Sequence, residues 1–357
     1  MSEALRLAGA LAASCGLALL TVPAAAALAL RMGFFDLPRG YRAHRAPTPY
    51  LGGLAVLVAF LPAAVAFGDP GPHAPILACA VALAVLGTWD DRRHVAPGLR
   101  VLAELGAATV LWTADLGWAV TSVGVLDLAL TWLWVVGIVN AFNLMDNMDG
   151  AAGSVALVSA AGLAVLAATR DELGLAALAV CVAGVCAGFL RYNLAAPARI
   201  FLGDGGSMWL GFAIVALAMA VAGAEGGGGA PLLVGALLVA VPILDTTLVV
   251  VSRTRRGISV LTGGRDHLSH RLRIRLPSAR AVAAALGVGQ AALAAVAIGL
   301  AEAPGTLVTT AAVGCVAAGI LLVAHLDSPA WNAELAARVT GSAAASGDTA
   351  PAGASSP

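Results

Sequence analysis

The chain has 357 residues, of which 60% are hydrophobic and only 11% charged, with a mean hydropathy of +0.91. Soluble domains carry about 25% charged residues, so this composition excludes an ordinary water-soluble fold. The formal net charge is zero, which excludes a generally basic nucleic-acid binder, and all 20 basic residues are arginine, which excludes a Walker-type phosphate loop and Schiff-base chemistry, since both need lysine.

Apolar runs fall at about 5–31, 51–67, 75–89, 100–116, 127–143, 151–169, 173–190, 206–223, 230–251, 280–300 and 305–325. Each is near the length a helix needs to cross a bilayer core of about 30 Å. The runs are continuous rather than alternating, which argues against a β-barrel. The chain therefore reads as an all-α polytopic membrane protein with about 10–11 transmembrane helices. The first run is too long for a signal-peptide core and is preceded only by Arg6, so it reads as the first span. Residues 1–327 form one integral-membrane domain. Residues 328–357 are rich in Ala, Ser, Gly and Pro and read as a disordered tail. The five cysteines lie inside apolar runs without C-x-x-C spacing, so they read as buried small hydrophobes.

Eleven spans put the segments 31–50, 90–100, 191–204 and 252–280 on one side together with the tail. Those segments and the tail hold every arginine except Arg6 and Arg170. By the positive-inside rule that face is cytoplasmic and the N-terminus outside. The outer loops are short and hold mostly Gly and Pro, so no outer domain is expected.

The rule accounts for arginines but not for the acids, amides and histidines beside them. The loop Asp36–Pro38 to Arg42, His44 and Pro49 is stiffened by prolines and glycines where it meets the membrane. Asp90 and Asp91 are adjacent carboxylates at a helix end, with Arg100 following; such a pair wants a cation or a proton. Asn140, Asn143 and Asp146 or Asn147 recur at helical spacing, and Asp149 lies three residues beyond Asp146. One acid at a helix centre costs about 3 kcal/mol, so this stripe is too costly to be filler. Next come Arg191 and Asn193, then Gly203-Asp204-Gly205-Gly206-Ser207 opening a helix. A Gly-rich helix start receives anions, and an acid placed there predicts Mg²⁺ bridging Asp204 to a phosphate. Last, Asp266-His267-Leu-Ser-His270-Arg271 lies in a long basic loop that suits phosphate better than zinc. All these segments map to one face. Carboxylates for Mg²⁺, Arg and His for phosphates, and a position beside lipid together point to phosphoryl transfer between a soluble nucleotide and a lipid acceptor.

The ordered motifs Asp90-Asp91, Asn140-x-x-Asn143-x-x-Asp146-x-x-Asp149-Gly150, Phe201-x-Gly203-Asp204-x-Gly206-Ser207 and Asp266-His267-x-x-His270-Arg271, with Arg42-x-His44-x-x-Pro47-x-Pro49, resemble the polyprenyl-phosphate N-acetylhexosamine-1-phosphate transferases over about residues 30–275. The resemblance implies a multi-pass enzyme of the bacterial cytoplasmic membrane with a cytoplasmic active site, often dimeric. It implies transfer of HexNAc-1-phosphate from a UDP-HexNAc to polyprenyl phosphate with release of UMP, and Mg²⁺ as cofactor, Mn²⁺ being a possible substitute. By the same resemblance Asp204 ligates Mg²⁺ with Asn143 as second ligand, and Asp90 and Asp91 orient or deprotonate the lipid phosphate. Asp149, with Asn147 nearby, faces the uracil, while His267, His270 and Arg271 bind diphosphate or sugar. Arg42, His44, Arg100, Asn140, Asp146 and Asn193 complete the expected substrate-binding set.

Two positions depart from the family pattern: Arg100 stands where lysine is usual and Asn147 where glycine is frequent. The single His267-Leu-Ser-His270 motif is unlike the three-histidine run of the phospho-MurNAc-pentapeptide transferases of peptidoglycan synthesis. It resembles the branch that starts other surface glycans from UDP-GlcNAc. A reading from another class is an ion-coupled transporter, with Asp245 and the Asn140–Asp149 stripe as a relay. Against it, the polar groups crowd one face rather than the midplane.

Overall fold

The computed structural model describes residues 2–36, 48–121, 123–223 and 229–334. The first half runs through α1 (Glu3–Arg31), α2 (Gly52–Phe67), α3 (Pro70–Arg92), α4 (Pro97–Thr113), α5 (Gly124–Met145) and α6 (Ala151–Thr169). There follow α7 (Leu173–Asn193), α8 (Asp204–Gly223), α9 (Gly229–Leu238), α10 (Ala240–Arg255), α11 (Leu268–Arg275), α12 (Ala279–Leu300) and α13 (Gly305–Leu326). Every expected apolar run meets a helix, and the protein is an all-α polytopic membrane protein. Among the described residues eight helices are long and apolar enough to span, or nine when α9 and α10 are joined. The two other runs among the 10–11 expected are the shorter helices α2 and α4. α2, with 16 residues, covers only about 24 Å at 1.5 Å per residue, and α4 carries Arg100 and Glu104.

α8 is enclosed on all sides, packed by α2, α3, α5, α6, α7 and α9. Lipid offers no hydrophobic drive for helices to associate, so close backbone approach must supply the packing energy. The sequence permits that approach with glycine. A Cβ on Gly53 of α2 would lie 2.1 Å from Gly206 N, and one on Gly87 of α3 would lie 2.3 Å from Asp204 O. α2 and α3 are thereby drawn against the first turn of α8, where the polar motif lies. Phe60 and Trp209 stack beside this contact at 5.3 Å, and Trp209 Nε1 donates to Gly53 O. α1 and α13 are the least covered spans and belong at the lipid boundary.

The run expected as one span at 230–251 is instead broken at Val239, with α9 and α10 at 79°. Pro242 lacks the N–H that would reach Leu238 O, so the ladder is weakened there. Gln290 of α12, fully buried, fills the gap. Its Nε2 donates to Leu237 O at 3.0 Å and its Oε1 accepts from Val241 N at 3.1 Å. It thus replaces the helical bond those two groups would have made with each other. Gln290→Leu is expected to leave both unpaired in apolar surroundings, at about 1–3 kcal/mol each, seen as a lower melting temperature in detergent.

Two short strands were not expected. β1 (Phe35–Asp36) pairs antiparallel with β2 (Thr48–Pro49), closing the base of the first loop. Arg42 and His44 lie outside the described residues. The expected tail starts differently from the sequence reading: residues 329–334 are helical, and Asn332 and Glu334 bond Arg271 and Arg275. Residues 335–357 lie outside the described residues.

Candidate active site

The stretch before α8 is laced to the start of α2. Phe201 N donates to Pro49 O, Gly52 N to Phe201 O and Gly53 N to Leu202 O. Gly203 then turns the chain with φ +71°, a left-handed conformation that only glycine adopts cheaply. A side chain there would also meet Asp91 Oδ2 at 2.6 Å. The turn delivers Asp204 as the first residue of α8.

Asp91 reaches from α3 to that helix start. Its two oxygens accept from Asp204 N at 2.9 Å and Gly205 N at 3.0 Å. A carboxylate on otherwise orphaned N-terminal N–H groups satisfies them and complements the helix dipole. Asp90, its neighbour in sequence, turns elsewhere. It accepts from Val95 N at 2.7 Å and pairs with Arg100 at 2.6 Å. Arg100 spreads its fork further, Nη1 to Asp204 Oδ2 at 3.2 Å and Nη2 to Asn143 Oδ1 at 3.0 Å. Asn143 in turn donates to Asp204 Oδ1 at 2.6 Å and to Ser207 Oγ at 3.0 Å. Side chains from α3, α4, α5 and α8 thus meet in one network at one end of the bundle. Asp146 caps the end of α5 beside it. Its carboxyl is held well above the usual carboxylate range, first by loss of solvent and then by the charges of Asp204, Asp91 and Asp149.

The cation brought into this network by hydrogen bonds is Arg100, facing the acids Asp90 and Asp204. The neighbouring donors are all hard oxygens: the carboxylates of Asp204 and Asp146, the Asn143 amide and the Ser207 hydroxyl. That set fits Mg²⁺ and offers no sulfur for a softer metal. Among the described residues no three His, Cys, Asp or Glu side chains converge as a metal cage. Mg²⁺ does not require one, because phosphates and water supply most of its ligands.

The histidine motif packs against the same end of α5. His267 Nδ1 meets Asp245 Oδ2 at 2.9 Å, and Leu268 N donates to Asp245 Oδ1 at 2.6 Å. Asp245 is therefore an anchor of this motif, with both carboxylate oxygens engaged by it. Ser269 donates to Asn147 Oδ1, joining α11 to the end of α5. Asp266 is clamped by Arg253 at 2.7 and 2.9 Å and by Arg256 at 2.7 Å. Burial pushes its carboxyl up, but the two guanidiniums outweigh burial and hold it below the usual range. His270 lies 6.3 Å from the His267 ring, and burial, then His267 and Arg265, push its pKa down to about 4. It is a neutral imidazole at pH 7, able to hydrogen-bond a phosphate but not to pair with it as a cation. An unfolded histidine titrates near 6.5, so from about 6.5 down to about 4 the unfolded chain binds the extra proton and stability falls. His270→Asn is expected to flatten that part of a melting-temperature profile against pH.

Three expected site residues are placed apart from the network. Asn140 donates to Glu104 Oε2 at 2.6 Å and to Val136 O, so it ties α5 to α4. Asn193 accepts from Gly150 N at 2.6 Å and donates to Ile200 O at 2.9 Å, fixing one loop to another. Arg271 is fully buried. It bonds Ser252 Oγ, Asp266 O, Leu326 O and Asn332 Oδ1, so it fastens α11 to α10 and the end of α13. Sequence reasoning left Ser207 and Ser269 without roles; one lies three residues after Asp204 and the other between the two histidines. Glu104 and Gln290 gave no signal, because their partners are distant in sequence.

A model of glycosyl transferase family 4 matches residues 73–222, the stretch from α3 to α8 that carries Asp90, Asn143 and Asp204. The decaprenyl-phosphate N-acetylglucosaminephosphotransferase of Mycolicibacterium smegmatis is 33% identical over 285 residues, covering 69% of this chain and 70% of that one. This chain belongs to glycosyl transferase family 4. The family member of Bacillus subtilis named "Probable undecaprenyl-phosphate N-acetylglucosaminyl 1-phosphate transferase" is 29% identical over 265 residues, 71% of this chain and 74% of its own. The undecaprenyl-phosphate alpha-N-acetylglucosaminyl 1-phosphate transferase of Escherichia coli K12 is 27% identical, over 68% of this chain and 70% of its own.

Proposed function

We propose that this family member transfers GlcNAc-1-phosphate from UDP-GlcNAc to a polyprenyl phosphate, releasing UMP, at the cytoplasmic face of the inner membrane. The observation that carries this reading is the network of Asp90, Asp91, Arg100, Asn143 and Asp204 at one end of a membrane-embedded bundle. It sets an acidic, oxygen-rich centre beside arginines, where a soluble diphosphate and a membrane-held phosphate can meet. The names of the relatives support the sugar and the acceptor class. The arginine bias supports the cytoplasmic side.

In this reading a non-bridging oxygen of the lipid phosphate attacks the β-phosphorus of the nucleotide sugar. The bond from that phosphorus to the bridging oxygen breaks, and UMP leaves with the electron pair. Asp204, with Asn143 and Asp146 as further oxygen donors, would hold Mg²⁺, which supplies charge neutralisation to the diphosphate. Arg100 offers a guanidinium to the same oxygens while fixing Asp90. His270, neutral, would donate a hydrogen bond to a diphosphate oxygen. Direct attack is favoured over a covalent carboxylate intermediate because Asp90 and Asp91 are already engaged, the first by Arg100 and Val95 N, the second by the start of α8. Exchange of labelled UMP into UDP-GlcNAc by protein stripped of lipid would favour the covalent route instead. The function is tested by UMP release from purified protein supplied with UDP-GlcNAc, UDP-GalNAc or UDP-MurNAc-pentapeptide and undecaprenyl phosphate. UDP-GlcNAc is expected to be preferred; preference for the pentapeptide substrate would move the protein to the peptidoglycan branch.

A further inference from the structure

The loop between α7 and α8 wraps a cavity of about 630 Å³ whose lining shares no residue with the Asp204 network. Three arginines line it: Arg191 from the last turn of α7, Arg199 from the loop and Arg280 from the first turn of α12. Among the described residues the rest of the wall is apolar, including Leu194 and Pro197, and contains no acid. Among the described residues no carboxylate lies within ion-pair distance of any of the three guanidiniums. Like charges around one cavity repel, and they raise the affinity of that space for an anion.

The walls are well held. Arg280 Nε donates to Leu194 O at 2.5 Å, which binds α12 to the loop. Arg199 N donates to Tyr192 O, and Asn193 anchors the same loop to Gly150 and Ile200. The positive-inside rule explains why arginines stand on this side. It does not explain three of them around one hollow with no acid among the described residues between them.

Position names the anion. Two of the arginines stand at the ends of helices that span the membrane, so the cavity opens at the level of the phospholipid headgroups. Guanidinium forks match phosphate oxygens, and the apolar wall suits the first methylenes of an acyl chain. We infer that this cavity binds the phosphate headgroup of an anionic glycerophospholipid from the same leaflet, at a site separate from the Asp204 network. The inference rests on the membrane fold and not on the sugar or acceptor proposed above.

The test is native mass spectrometry of the full chain with added phosphatidylglycerol or phosphatidylcholine. Near a membrane each basic residue contributes enough for roughly a fivefold effect, so R191Q/R199Q/R280Q is expected to bind phosphatidylglycerol about a hundredfold more weakly than wild type. Phosphatidylcholine is expected to bind both proteins equally weakly. The single variants R191Q and R280Q, each losing about fivefold, decide the matter if the triple variant does not fold. UMP release in detergent supplied with UDP-GlcNAc and undecaprenyl phosphate, with no phospholipid added, is expected to be unchanged in all of them. Equal phosphatidylglycerol retention by wild type and variants would overturn the inference. So would displacement of the lipid by millimolar inorganic phosphate, which would make the site one for soluble phosphate. A raised KM for polyprenyl phosphate in the variants would also overturn it, by assigning the cavity to the acceptor.

Discussion

Asp204→Asn is expected to lower UMP release roughly a thousandfold while leaving the protein at least as stable as before. The two effects have opposite signs for one reason. Asp204 is held beside Asp146, whose carboxyl is raised first by burial and then by the charge of Asp204, and within reach of Asp90. Such crowding burdens the fold and is useful only when a cation and a diphosphate enter. Asparagine keeps the size and can still accept from Asn143, and Asp91 caps the backbone N–H of residue 204 whatever its side chain. The amide removes one negative charge from the cluster and with it most of the attraction for Mg²⁺. Sites that are strained for function commonly gain stability when disarmed. Thermal melting of the purified variant, beside its UMP release, checks both halves. A variant with near-normal rate would remove Asp204 from the metal site.

Arg100→Gln is expected to harm both properties. Asp90 is almost fully buried and has Arg100 as its ion partner at 2.6 Å. Breaking a buried pair by removing one partner costs about 3–5 kcal/mol, because the remaining charge is left uncompensated. The same change detaches Asn143 and Asp204 from their shared cation, so activity is expected to fall on the order of a hundredfold in the fraction that folds. Arg100→Lys keeps the charge but not the fork. It can hold Asp90 but cannot span Asp90, Asp204 and Asn143 together, so it is expected to retain most of the stability and less of the rate. Melting temperature and kcat for the two variants separate the two roles. Equal losses in both would mean that the fork has no part in the reaction.

The helices were legible because a bilayer imposes a length and an apolar character on every span. The network was legible in outline because an acid or amide near lipid is costly, and Asp90, Asn143, Asp146 and Asp204 stand out for that reason. Neighbouring residues with opposite tasks were not. Asp90 and Asp91 look alike in sequence, yet one pairs with Arg100 and the other caps α8, a choice set by residues 10 and 113 positions away. Asn140 shares a helical stripe with Asn143, but one turn is enough to direct it to Glu104 in α4. Arg271 reads as a phosphate ligand beside two histidines, but burial turns it into a fastener between helices. The break at Val239 lay hidden in a continuous apolar run, since the group that completes it, Gln290, comes 49 residues after Val241.

The most direct measurement supplies the full-length protein in nanodiscs with undecaprenyl phosphate and UDP-GlcNAc labelled in the β-phosphate, with and without Mg²⁺. The structure and its proposed chemistry predict one UMP released for each labelled lipid formed, with both products lost when Mg²⁺ is chelated. Release of UDP in place of UMP, or no labelled lipid with any UDP-HexNAc, would contradict them.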